Sequence, residues 1–195
     1  MTTTILTRSE NLVENKMKIK RIFPMESSVV HLACAGVYAN KDAVVDEEKL
    51  LKCKTMLNSE VGFFSNFRST ARPIIISMLA LNDDSEGLLS RALEVYSLLK
   101  EDFLSSIYLP LTAMVIAENA EPERYQEIAK RTRGLYIQMK SEHPFLTSGE
   151  DSALCALMAL MDKTDSEMIR DSEECYRILR KQFRTSHSVQ GLSNV

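Results

Sequence analysis

Leu88-Leu89-Ser90-Arg91-Ala92-Leu93-Glu94-Val95-Tyr96-Ser97-Leu98-Leu99-Lys100-Glu101-Asp102-Phe103 decides the fold of this chain. Its positions Leu88, Leu89, Ala92, Val95, Tyr96, Leu99 and Phe103 recur at steps of three and four, which places them on one face of an α-helix. The pattern returns forty residues on as Ile128, Ala129, Thr132, Leu135, Tyr136, Met139 and His143. It returns again as Met168, Ile169, Ser172, Cys175, Tyr176, Leu179 and Phe183. Self-similarity at that period marks stacked helical hairpins, because one hairpin cannot bury its own apolar face and needs a neighbour to do so.

A helix of another kind precedes each stripe. Residues 29–39, 74–81, 111–117 and 153–161 are apolar nearly all round, so helices there are expected to be covered on most sides. The expected architecture is all-α, with about four stacked hairpins of period about forty in a HEAT-like α-α superhelix. The alternative is a partial α/α toroid. The units fall at 23–62, 63–102, 103–142 and 143–182, with Phe23, Phe63, Phe103, His143 and Phe183 at the junctions. Residues 1–22 form an N-terminal helix through Leu12, Met17 and Ile19, residues 23–182 the repeat domain, and residues 183–195 an incomplete fifth repeat that reads as truncated. The unfinished hairpin predicts a poorly packed tail, or a homodimer through the C-terminal end.

Local chemistry marks the helix starts. Thr147-Ser148-Gly149-Glu150 and Thr164-Asp165-Ser166-Glu167 both have the spacing of a capping box, in which hydroxyl and carboxylate satisfy otherwise orphaned backbone N–H groups. Pro73, Pro110 and Pro122 suit first-turn positions, whose N–H has no intrahelical partner.

Composition narrows the function classes. The 195 residues are 45% hydrophobic and carry a formal charge of −3, which gives no general attraction to nucleic acid or to an anionic membrane. The apolar runs fall short of the roughly 20 residues that cross a bilayer, and residues 1–21 lack the apolar core of a signal peptide. The expectation is a cytoplasmic protein whose partner is a protein or peptide. Cys34 and Cys53, and Cys155 and Cys175, form two well-separated pairs without C-x-x-C spacing. All four are expected to be reduced, buried and inert.

Gly62-Phe63-Phe64-Ser65-Asn66-Phe67-Arg68-Ser69, His143-Pro144-Phe145-Leu146-Thr147-Ser148-Gly149-Glu150-Asp151 and Ser188-Val189-Gln190-Gly191-Leu192-Ser193-Asn194 resemble the bacterial family catalogued as domain of unknown function 4003. The resemblance covers the chain from about Asn11 onward. It implies a helical fold and no substrate, and it implies further helices after the last of these segments. Val189 stands where leucine is usual in that pattern and Asn194 where histidine is usual.

Few residues invite chemistry. His143, Glu150 and Asp151 bracket a turn and could hold a metal or an acid/base pair, but the capping box and the stripe already account for most of the segment. Arg68 and Arg72 share a helical face, and Lys130, Arg131 and Arg133 form a second basic cluster. Either could clamp a phosphate or carboxylate; the plainer reading is a solvated face paired with acids a turn away. Tyr96, Tyr136 and Tyr176 read as interlayer core with hydroxyls at its margin. No H-E-x-x-H, Walker loop, dinucleotide-binding turn or nucleophile elbow occurs. No catalytic residue, metal or cofactor is therefore assigned, and an interaction scaffold is favoured over an enzyme or small-ligand binder on a toroid-like scaffold.

Overall fold

Helix formers interrupted by short capped turns account for the whole secondary structure. The computed structural model describes residues 5–103, 106–183, 189, 192 and 193, and among them stand nine α-helices, three 3-10 turns and no strand. The chain is thus all-α. It divides into two compact units, Met1–Ser90 and Arg91–Val195.

In the first unit α1 (Ile5–Ile22) packs on α2 (Ser28–Asn40), and both α2 and α3 (Glu47–Glu60) pack on α4 (Arg72–Leu81). Ile19, Cys34, Leu50, Leu57, Ile75 and Leu79 are fully buried here, each leucine or isoleucine contributing about 1.5–3 kcal/mol by leaving water. Polar side chains pin the loops. Asn15, fully buried, donates to the Ala43 carbonyl at 2.9 Å and accepts from the Val45 N–H at 2.8 Å. That fixes the α2–α3 turn, where Asp42 takes a positive φ of 51°, onto α1. His31 donates from Nε2 to the Phe23 carbonyl at 2.8 Å, a satisfied core histidine.

One expectation fails in this unit. α2 was expected to be covered nearly all round, yet only the side bearing His31, Cys34, Ala35 and Tyr38 is buried. Val29 is 76% exposed, and Leu32 and Ala33 on the same face also lie in water. α1 and α4 reach one side of the helix only. α4, by contrast, meets the expectation, being buried from Ile75 through Ala80.

The helix α5 (Ser85–Asp102) runs through the division between the units, and its stripe is buried at Leu88, Leu89, Ala92, Val95 and Leu99. In the second unit α6 (Leu109–Asn119) and α7 (Tyr125–Glu142) both pack on α8 (Ser152–Ala159), and α7 also meets α9 (Asp165–Leu179). Two ring contacts here are forty residues apart in both members: Phe103 to Tyr136 at 5.3 Å and His143 to Tyr176 at 4.5 Å. Thr112 and Ser152, also forty apart, share a hydroxyl hydrogen bond of 2.8 Å. The α9 stripe is less covered than its sequence suggests, with Met168 and Ser172 buried and Cys175 and Phe183 exposed. Phe23 and Phe103 are buried at their junctions, whereas Phe63 is exposed. The expectation for the tail falls mostly outside the described residues; Val189 and Ser193 are buried and Leu192 is exposed.

Pro73 and Pro110 occupy the first turns of α4 and α6, and Pro122 opens a 3-10 turn before α7. The box at Thr164 forms as expected: its N–H donates to Glu167 at 3.0 Å and the Glu167 N–H donates back to its hydroxyl at 3.3 Å. The Thr164 hydroxyl, then its N–H, holds the Glu167 carboxyl below the usual carboxylate range. The box is therefore intact at neutral pH and is lost as acid protonates that carboxylate. The other box is displaced by one residue. Ser148 donates its N–H to Asp151 at 2.8 Å, while the Thr147 hydroxyl turns back to the Met139 carbonyl at the end of α7.

Thr164→Ala and Asp151→Ala are each expected to cost about 0.5–2 kcal/mol. Glu150→Ala, at an exposed position that caps nothing, should stay within about 0.5 kcal/mol. Urea unfolding separates them, and a loss at Glu150 equal to that at Asp151 would restore the unshifted box.

Candidate functional site

His143 ends α7, and its ring leaves the turn altogether. Nε2 lies 2.8 Å from the Glu173 carboxylate, and the ring leans on Tyr176 of α9. Asp151 is buried against the Ser148 backbone and Glu150 points to water. The three residues therefore do not converge, and Glu173 is the carboxylate that His143 meets. Among the described residues no group of three or more histidines, cysteines or carboxylates is placed to hold a metal ion.

Arg68, in the 3-10 turn Asn66–Arg68, and Arg72, the first residue of α4, do not share a helical face, but they come together around the end of α3. Arg68 donates to the carbonyls of Asn58 and Val61, the latter at 3.0 Å, and Arg72 donates to Asn58 Oδ1 at 2.8 Å. Cations among the last carbonyls of a helix complement its dipole, which makes Arg68 a cap of α3, while Arg72 holds the Asn58 side chain beside it. Their Nε atoms are buried without an acceptor.

The second basic cluster splits three ways. Lys130 stays exposed. Arg131 crosses to the α8–α9 turn, donating to Asp165 at 2.7 Å, to the carbonyls of Ala159 at 2.8 Å and Met161 at 3.0 Å, and to that of Lys163. It is not the solvated residue its sequence neighbourhood suggests. The signal that could have revealed it is again the period, since an arginine, Arg91, stands forty residues earlier. On α3, Lys49 likewise reaches the Asn82 carbonyl after α4 at 2.9 Å.

Arg133 turns instead to a cavity of about 530 Å³ on the second unit, bounded by Phe103, Ser106, Leu109, Tyr136, Ile137 and Lys140 among others. Its guanidinium lies 4.9 Å from the Phe103 ring centre and 5.7 Å from that of Tyr136, and the Lys140 ammonium lies 5.7 Å from the Tyr136 ring. Gly149 also lines this cavity, and a Cβ there would come within 2.7 Å of the Ser106 hydroxyl.

A different surface stands on the first unit, in the turn after α3. Val61 and Phe67 are buried and anchor it, and Arg68 ties it to α3. Between these anchors Phe63 and Phe64 stand 76% and 96% exposed, edge to face at 5.2 Å. Phe145, 94% exposed, is the matching feature of the His143 turn. All three belong to the segments singled out in the sequence, and of them Phe63 alone marks a junction there.

All four cysteines are free thiols, but they are not alike. Burial pushes the Cys34 thiol up to about 11 and the Cys155 thiol up to about 12, which removes the reactive thiolate at neutral pH. Cys53 is buried, while Cys175 is exposed, contrary to its stripe position. Thiol titration of the native protein should label one equivalent, at Cys175, and the other three only after denaturation. Labelling of Cys34 or Cys155 in the native state would overturn this.

A family model described as "Protein of unknown function (DUF4003)" matches residues 15–195. "Uncharacterized protein YeaA" of Bacillus subtilis (strain 168) is 21% identical over 168 residues, covering 84% of this chain and 51% of that protein. The chain spans about half the length of this curated relative. No solved structure matches.

Proposed function

We propose that this chain, which belongs to the DUF4003 family, works as a helical interaction module that binds another protein through apolar side chains it keeps in water. The observation that carries this is the Phe63–Phe64 pair, two aromatic rings in solvent on a turn held rigid from both ends. An exposed aromatic pair forfeits burial that would stabilise the isolated fold. A fixed one loses little conformational freedom on binding, which is why aromatic anchors dominate contact energies. The open face of α2 adds to the same unit an apolar strip at Val29, Leu32 and Ala33.

The module reading extends to a stack of hairpins about forty residues apart, supported by the recurring ring contacts of the second unit and by cations reaching the following turn. A net charge of −3 and four free thiols accord with a cytoplasmic protein partner. A photo-crosslinking amino acid at position 64, with a control at exposed Lys52, tests the reading in cells expressing the full-length protein. A discrete protein adduct from position 64, absent from position 52 and lost with Phe63→Ser, is expected. Equal labelling at both positions, or none at 64, would reject it.

A further inference from the structure

Several basic residues of the second unit have acidic partners: Arg131 with Asp165, Lys163 with Asp171, Arg124 with Glu127. Arg133 and Lys140 differ. Among the described residues neither meets a carboxylate, and no acidic side chain lines the cavity they face. They stand seven residues apart on α7, two turns along one face, with Tyr136 between them sharing its ring with both cations.

We propose that this cavity is a binding site for a small organic anion, with its phosphate or carboxylate group between Arg133 and Lys140 and its apolar body against Leu109 and Ile137. Cations resting on ring faces keep their N–H donors available, and a half-buried guanidinium pairs with an anion more strongly than one in open water. The 530 Å³ volume matches a molecule up to the size of a mononucleotide. Ser106 adds a hydroxyl to the lining, and Gly149 leaves the Ser106 side its room. The site lies in a different unit from the Phe63–Phe64 turn and does not depend on it.

Calorimetric titration of the full chain with phenyl phosphate, benzoate, phenol and inorganic phosphate tests the site. Phenyl phosphate or benzoate should saturate, and which of the two binds tighter identifies the anionic group. Phenol and inorganic phosphate should each bind at least about tenfold more weakly than the better of the two. Lys140→Gln, at an exposed position, should weaken binding severalfold and leave the unfolding midpoint in place; adding Arg133→Gln should abolish it. Saturation by phenol equal to that of the anions, full affinity in Lys140→Gln, or no saturation by either aryl anion below about 10 mM would each overturn the proposal.

Discussion

Arg131→Ala is expected to lower the stability of the protein by about 2–4 kcal/mol, more than any other substitution of a charged residue. The guanidinium is 19% exposed and donates to Asp165 and to three backbone carbonyls in the turn between α8 and α9. Those carbonyls end one helix and precede another, so the helices themselves cannot satisfy them. Hydrogen bonds to a charged group are worth about 1.5–3 kcal/mol each when buried, and truncation strands several acceptors together. The effects will not add, because one side chain makes all of them. Arg131→Lys should recover only part of the loss, since an ammonium cannot span the fork of acceptors. Lys130→Ala, one residue away and exposed, should change stability by less than about 0.5 kcal/mol. Urea unfolding monitored by circular dichroism decides the matter. An Arg131→Ala midpoint equal to that of Lys130→Ala would show that the turn holds without the clamp.

The contrast between Arg131 and Lys130 shows what a sequence does and does not display. Helices follow from periodicity because each apolar side chain reports its own face, so α5 and α7 were legible from residue spacing alone. The start of α9 was legible for the same reason: Thr164 and Glu167 interact across three residues. A cation that crosses some thirty residues to a turn leaves no local trace, and charge beside charge reads as a solvated face. The Thr147 box failed on a finer point. Thr147 and Ser148 are both hydroxyls, and Glu150 and Asp151 both carboxylates, so a one-residue slip leaves the pattern intact. Choosing between them required knowing that the Thr147 hydroxyl has an acceptor at Met139. Whether an apolar helix is covered on every side is likewise a property of its neighbours, which is why α4 met expectation and α2 did not. Of the candidate site residues, Arg68 and Arg72 converge on α3, whereas His143 and Asp151 part company. Arg133 and Lys140, seven apart on one face, were within reach of helical spacing, but the cavity beside them was not.

The same limit makes Gly62-Phe63-Phe64-Ser65-Asn66-Phe67 a decisive test, because three identical side chains within five residues have opposite fates. Phe67 is fully buried in the 3-10 turn leading to α4, and the hydroxyl of Ser65 caps that turn by accepting from the Phe67 N–H at 3.3 Å. Phe67→Ala is expected to cost about 3–5 kcal/mol, the transfer energy of the ring plus the cavity left behind. Phe67→Leu should cost less than half of that, because most of the volume remains. Phe64 touches solvent on nearly every side, so Phe64→Ala should lie within about 0.5 kcal/mol of the parent. Phe63→Ala should do little more, forfeiting the edge-to-face contact and the Arg68 guanidinium 5.8 Å from its ring. If the exposed pair serves binding, Phe63→Ala will lose partner crosslinking from position 64 while keeping the parental unfolding midpoint. Phe67→Leu will do the reverse, losing stability and retaining the partner at temperatures where it is folded. A drop in stability at Phe64 comparable to that at Phe67 would mean that the ring is covered in solution, and the case for an aromatic docking turn would fall with it.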